Sequence, residues 1–294
     1  MKKHIGIIGL GRIGLNAAKA YLDEDYTVMG YDVDPNVMTS FKEIGGTLAT
    51  NPKELAAKVE TILVLVLNDQ QVFDVILGED GIISGAGKKT IVVCMSTINR
   101  SNLEKVAREC TKRKIGFIDC PFTGGPARIP TGSLTLIAAA TEELLSRVKP
   151  ALQAIGNITY AGNQPGLGQA IKHCNQLLVG STHAATMEVI ILARKMGLDP
   201  SLVCHVVGSG IAGSDYFRLL SQSVLEKKPS PGGLGQMCKD VSIVINTASK
   251  AGLHPFVANA AARYFSVAES LGMQQREGAD LIEVVEKETQ KNNR

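Results

Sequence analysis

The sequence predicts an α/β protein in two parts, a doubly wound, mostly parallel sheet followed by an all-helical half. Three observations carry this. Short β-branched runs alternate with amphipathic stretches over roughly the first 160 residues, a glycine-rich turn separates the first run from the first amphipathic stretch, and only helical spacing remains after Gly162. At 294 residues the chain also exceeds the usual size of one hydrophobic core, which favours two domains.

Taken in order, strands are expected at Ile5–Ile8, Thr27–Tyr31, Thr61–Leu65, Thr90–Cys94 and Gly116–Asp119, with Leu134–Ala138 and Ile158–Tyr160 later. Helices are expected between them at Ile13–Leu22, Asn36–Ile44, Gln70–Ile76, Ser101–Lys112 and Glu142–Ile155. The run Gly162-Asn163-Gln164-Pro165-Gly166 breaks the pattern. From Leu167 to Met196 there is no proline and one glycine, Gly180, so one long helix is expected to join the halves and span their interface. Gly197-Leu198-Asp199-Pro200 ends it, and helices follow at Asp215–Leu225, Gln236–Ala251, Phe256–Ser270 and Ala279–Glu288. The expected domains are 1–163 and 164–294. No fixed-period repeat is present, and Lys287–Arg294 reads as a solvated charge run.

Composition narrows the function classes. With 45% hydrophobic and 20% charged residues the chain reads as a soluble globular protein, and its net charge of +3 is scattered. That leaves no electrostatic footprint for nucleic acid or an anionic membrane, while a small anionic substrate stays compatible. The uncharged apolar stretches read as shorter than the roughly 20 residues that span a bilayer, and the N-terminal run, broken by glycines and an arginine, does not read as a secretion signal. Cys94, Cys110, Cys120, Cys174, Cys204 and Cys238 form no C-x-x-C pair and are expected as reduced thiols in a cytoplasm. His4, His173, His183, His205 and His254 have no metal-site spacing, so no metal is expected, and no G-x-S-x-G elbow supports hydrolase chemistry.

The chemistry-bearing motifs begin with Gly9-Leu10-Gly11-Arg12-Ile13-Gly14, set between an apolar strand and an amphipathic helix. There Gly9 permits a tight turn, Gly11 lets the backbone approach a pyrophosphate, and Gly14 allows close helix–strand packing. Eighteen residues on, Asp32 ends the second strand, where an acid accepts hydrogen bonds from ribose hydroxyls and repels a 2′-phosphate. This is a Rossmann arrangement that points to NAD rather than NADP, and residues 33 to 35 (Val, Asp, Pro) offer a 2′-phosphate no cation. Arg12 reads as a surface side chain near the phosphates.

Two further segments are candidates. Thr123, Gly124 and Gly125, after Asp119-Cys120-Pro121-Phe122, form a turn whose hydroxyl and amides suit a carboxylate, although the same turn also reads as structural. Lys172 and Asn175 stand at i and i+3 on the long helix and share one face. Lysine on a helix is usually solvated; the apolar flanks Ala170, Ile171, Cys174, Leu177 and Leu178 suggest burial, which depresses a lysine pKa as proton exchange requires. Lys239-Asp240 reads equally as a solvated pair.

These four motifs, in this order, resemble the β-hydroxyacid dehydrogenases, the group of 3-hydroxyisobutyrate dehydrogenase and tartronate semialdehyde reductase, over nearly the whole chain. The resemblance implies cofactor binding at Gly9, Leu10, Gly11, Arg12, Ile13, Gly14 and Asp32, a substrate loop at Thr123, Gly124 and Gly125, a catalytic Lys172 and a substrate-orienting Asn175. It further implies cofactor contacts at Leu67, Asn68, Thr97 and Lys239, a small hydroxy-acid or aldehyde-acid substrate, and a homo-oligomer, dimer or tetramer, formed through the helical half. Departures are Ile13 for a usual methionine, Thr123 for serine, Phe122 for a smaller residue, and the run Pro126-Ala127-Arg128-Ile129-Pro130, in which Arg128 either meets a second anionic group or faces solvent. Lys172–Gln176 and Gly210–Ser214 are more similar to tartronate semialdehyde reductase. An NADPH-dependent glyoxylate or succinic semialdehyde reductase, and a non-catalytic NAD-binding interaction module, are the competing expectations.

Overall fold

The computed structural model describes residues 3–291, so the end of the expected charge run over 287–294 lies outside the described residues. The chain forms two compact units, Met1–Lys172 and His173–Arg294. The first opens with β1 (His4–Ile8), α1 (Arg12–Asp23), β2 (Thr27–Tyr31), α2 (Pro35–Glu43), β3 (Thr47–Leu48), α3 (Pro52–Lys58) and β4 (Thr61–Val64). It continues through α4 (Asp69–Leu77), α5 (Ile82–Gly85), β5 (Ile91–Cys94), α6 (Arg100–Lys112), β6 (Gly116–Asp119), β7 (Phe122–Thr123), β8 (Leu134–Ala139), α7 (Glu142–Gln153) and β9 (Gly156–Gly162). Helix α8 (Leu167–Lys195) starts in this unit and continues into the second, which adds α9 (Pro200–Ser209), α10 (Asp215–Glu226), α11 (Leu234–Lys250), α12 (Phe256–Ser270) and α13 (Leu281–Lys291).

The strands lie in one sheet of order β3-β2-β1-β4-β5-β6-β8-β7, with β9 paired to β8. Pairings from β3 through β6 are parallel, and β8 runs antiparallel to β6 and β7. Strand order therefore reverses between β1 and β4, so their carboxyl ends open a crevice where such sheets bind ligands. One face of the sheet is covered by α1 and α7 around Ala17, Tyr21, Val148 and Leu152; the Tyr21 hydroxyl donates to the Ala151 carbonyl (2.9 Å) and ties those helices together. The opposite face packs Leu55, Val72, Ile76 and Val106 from α3, α4 and α6. In the second unit, α10 to α13 and the later part of α8 enclose Met187, Leu220, Val241, Phe265 and Leu281.

Several elements depart from the sequence reading. Helix α3 was not expected, yet Asn51 accepts from the Glu54 N–H (2.8 Å), Pro52 occupies the first turn and Glu54 accepts from the Thr50 N–H (2.7 Å), a set of helix-start signals. Helix α9 was not expected: the Gly197–Pro200 run ends α8 as read, but its Asp199-Pro200 also caps a new helix, with Asp199 accepting from the Ser201 N–H (2.9 Å). The short β3, β7 and α5 have too few residues to show a period. By length and composition α8 is long and apolar enough to cross a membrane, contrary to the expectation that no stretch is, and half of its most apolar window is buried in protein.

Candidate active site

At the end of β1 the Gly9 backbone has a positive φ of +92°, and its N–H donates to the Tyr31 carbonyl (3.0 Å), closing the turn between neighbouring strands. A Cβ on Gly14 would sit 2.1 Å from the Gly9 oxygen, so only glycine lets α1 approach the turn this closely. Around Gly11, in contrast, nothing lies within 4 Å of a Cβ position, and no side chain caps the N-terminus of α1. The first turn carries no acidic residue. Uncapped helix amides beside open space fit a pyrophosphate. Leu10 and Ile13 pack into the core, whereas Arg12 is exposed at the first position of α1.

Asp32 follows β2 and ties this turn down: Oδ2 accepts from the Leu10 N–H (2.6 Å) and Oδ1 from the Asp34 N–H (3.0 Å). Each carboxylate oxygen has a second lone pair, so ribose hydroxyls can still be accepted. Beside it opens a cavity of about 750 Å³ lined by Asp32, Val33, Met38, Thr39 and Lys42. Lys42, from the last turn of α2, is a cation lining the same cavity as Asp32 that reading residues 33 to 35 did not reveal. Asn68 caps α4, accepting from the Gln71 N–H (2.9 Å), while Leu67 beside it is half exposed.

A buried hydrogen-bond network lies around Asp119, at the end of β6 and wholly buried. Its Oδ2 accepts the N–H groups of Gly166 (2.8 Å) and Gln169 (3.1 Å), so the carboxylate serves the unpaired amides at the start of α8. Gly168 permits this approach, because a Cβ there would lie 2.7 Å from the Ile137 oxygen and 2.9 Å from Asp119 Oδ2. Burial raises the Asp119 carboxyl from its ordinary 3.8 to about 6, against the lowering effect of those amide hydrogen bonds.

Gln169, also wholly buried, closes the network. Its Nε2 donates to the Ser96 carbonyl (2.9 Å) and Asp119 Oδ1 (3.2 Å), and its Oε1 accepts the Ile98 N–H (3.1 Å). Thr97 lies between the two residues it grips. Ser96 in turn donates its hydroxyl to the Val66 carbonyl (2.6 Å), joining the segments after β4 and β5. Neither Asp119 nor Gln169 was singled out as a site residue from sequence. The available signal was the acid four residues before Thr123, at the end of a strand, and the glutamine inside the Gly166 to Asn175 motif.

Lys172 stands one turn after Gln169 and is 7% exposed. The burial was expected, but not for the reason given: Ile171 (46% exposed), Cys174 and Leu178 (67%) face outward, and the buried stripe beside Lys172 is polar. Thr123 sits in β7, and the turn continues through Gly124 and Gly125, whose φ values are +125° and +74°. The Arg128 side chain lies over Gly124, its Cδ 2.8 Å from a Cβ position there. In the second unit, Asn175 donates to Gln176 Oε1 (2.8 Å) and Gln176 donates to the buried Asp240 (2.5 Å). Lys239 Nζ is 2.8 Å from Asp240 Oδ1, an ion pair rather than a directed hydrogen bond and not a solvated pair, since Asp240 is wholly buried. Among the described residues no cluster of His, Cys, Asp and Glu is arranged to hold a metal.

Comparison with known proteins places the chain in a family. Residues 4–162 match the family described as the NAD binding domain of 6-phosphogluconate dehydrogenase, and residues 166–285 match the NAD-binding domain of NADP-dependent 3-hydroxyisobutyrate dehydrogenase. The chain is 28% identical over 284 residues to L-threonate dehydrogenase of Escherichia coli K12, covering 96% of this chain and 94% of that protein. It is 31% identical over 257 residues to mitochondrial 3-hydroxyisobutyrate dehydrogenase of Mus musculus, covering 84% and 76%. The crystal structure of 3-hydroxyisobutyrate dehydrogenase from Salmonella typhimurium superposes with a TM-score of 0.89 at 27% identity, covering 96% of this chain and all of that one. The chain thus belongs to the β-hydroxyacid dehydrogenase family and is an NAD(P)-dependent hydroxyacid dehydrogenase.

Proposed function

We propose that this dehydrogenase interconverts a small 3-hydroxy acid and its aldehyde acid, of the 3-hydroxyisobutyrate or tartronate semialdehyde type, with Lys172 exchanging the proton. The observation that carries this reading is a lysine buried to 7% exposure, one turn beyond a helix start held by Asp119 and Gln169. Burying an ionisable amine is costly, and a lysine is a group that can both give and take a proton.

Bound NAD supplies the two-electron exchange at the substrate carbon. Lys172 donates a proton to the carbonyl oxygen in reduction and accepts the hydroxyl proton in oxidation. The Thr123 hydroxyl and the amides of Gly124 and Gly125 hold the substrate carboxylate. Asn175, whose amide nitrogen is engaged by Gln176, offers its Oδ1 to orient a substrate hydroxyl. Asp32 favours NAD, since a 2′-phosphate beside its carboxylate is repelled. Lys42 in the same cavity supports a second reading, an NADPH-dependent reductase of glyoxylate or succinic semialdehyde.

Two further proposals stand beside this one. A homo-oligomer is supported by Leu192, Met196, Leu202 and Val206 of the second unit, each more than half exposed, and a cytoplasmic location by six free thiols. Steady-state kinetics on 3-hydroxyisobutyrate, tartronate semialdehyde, L-threonate, glyoxylate and succinic semialdehyde, with NAD(H) and NADP(H) in parallel, tests the function. Turnover of a 3-hydroxy acid or its aldehyde with NAD(H) is expected. Preference for NADP(H) with the short aldehydes would select the second reading.

A further inference from the structure

We propose that Gln169 is a positioning residue, which holds the segment carrying Thr97 against the first turn of α8 and thereby fixes where Lys172 stands. The inference rests on the reading of Lys172 given above. Three pieces of chain meet at this one amide: the Ser96–Ile98 segment after β5, Asp119 at the end of β6, and α8 itself. They are separated by tens of residues in sequence, so no local propensity sets their spacing.

The chemistry of the partners leaves Gln169 a single orientation. A carboxylate and a carbonyl can only accept, so Nε2 must face Asp119 and Ser96, and a backbone N–H can only donate, so Oε1 must face Ile98. All three contacts are buried, where an unmade hydrogen bond costs more than it does at a surface. Rotating the amide would set two donors or two acceptors against each other at every contact. The α8 backbone is gripped at the same point, since Gly166 and Gln169 donate their N–H groups to Asp119. Lys172, three residues on, inherits its position from that grip.

Charged and titratable groups around this amide are Asp119, the Cys94 and Cys120 thiols, the Arg100–Glu104 pair beside Gly166, and Lys172. Burial and the Asp119 charge push both thiols up, so they stay neutral at ordinary pH. Replacing Gln169 by glutamate thus places a second carboxyl against Asp119, and the new carboxyl recovers one of the two lost donor bonds, and only when it is protonated.

The test compares Gln169→Leu and Gln169→Glu with the wild-type enzyme in the reductive direction from pH 8 to pH 6. NAD affinity is read by fluorescence titration and folding by thermal unfolding. We expect Gln169→Leu to lower kcat at least tenfold while KM and NAD affinity change less than threefold. The ratio of Gln169→Glu to wild-type kcat should rise at least fivefold as the pH falls, while the Gln169→Leu ratio stays flat. A purely packing role predicts parallel, pH-independent losses for both variants, and that result would overturn the proposal, as would wild-type kcat in either. If Gln169→Leu does not fold, the pH dependence of Gln169→Glu decides alone. Lys172→Ala, assayed alongside, separates the two claims: wild-type turnover in that variant refutes the lysine reading, whereas its loss together with unaffected Gln169 variants refutes only the positioning role.

Discussion

Along α8 the buried stripe changes chemistry. Near its start the side chains turned inward are Gln169, Lys172, His173 and Gln176, whereas from His183 onward they are mostly apolar, Ala184, Met187, Ile190, Ile191 and Ala193, with His183 and Thr186 between them. The difference teaches where burial serves stability and where it serves chemistry. Apolar burial at the later end contributes roughly 1.5–3 kcal/mol per large side chain. Polar burial at the early end contributes little net stability, and each group must be partnered to avoid a penalty. His183 shows what a structural solution looks like: both ring nitrogens are engaged, by Tyr216 and the Gly278 carbonyl, and burial pushes its pKa down to about 4, leaving it neutral. At the early end an ionisable lysine, Lys172, is buried within a polar stripe instead.

The comparison can be broken at its apolar end first, where the largest stability effect is expected. Ile190→Ala should destabilise the second unit by about 2–5 kcal/mol in urea unfolding, with KM unchanged in the remaining folded enzyme. A loss under about 0.5 kcal/mol would mean that this end is not the packed core described.

Asp119 gives the next largest effect, with its sign set by linkage. Its folded pKa of about 6 lies above the ordinary 3.8, so the folded state holds the proton more tightly and the carboxyl destabilises progressively as pH rises from 4 to 6. A two-unit shift corresponds to about 3 kcal/mol. Relative to wild type, Asp119→Asn should therefore gain stability by about that amount between pH 4 and pH 7. A stability difference independent of pH would show that the buried carboxyl is not the strained group. The smallest effect on the site is expected from Leu202→Glu with Val206→Glu, on the exposed face of α9. Sedimentation should show a smaller species than wild type, with NAD affinity within about twofold, and an unchanged mass would locate self-association elsewhere or nowhere.

Much of this was legible in the sequence because it is local. The β2 and β6 strands, the glycine turn and the Asp32 position follow from short apolar runs and their punctuation, and α8 follows from thirty residues without proline. Helices α3 and α9 were legible too, through Asn51-Pro52 and Asp199-Pro200, where a break in one pattern was the start of another. The Asp119 to Gln169 link was not, because it joins residues 50 apart through hydrogen bonds that leave no periodicity. Burial of Lys172 was inferred from apolar neighbours of which Ile171, Cys174 and Leu178 in fact face outward and Ala170 and Leu177 are half-buried, since composition around a helical residue does not say which side is covered.

The central claim is that Lys172 moves a proton rather than merely supplying positive charge. Lys172→Arg separates these roles, because a guanidinium keeps the charge and does not release its proton in a protein. Measured with NAD and the preferred hydroxy acid, oxidation by this variant should fall by about 10²–10⁴ while NAD binding stays within twofold of wild type. Oxidation at the wild-type rate would contradict the account.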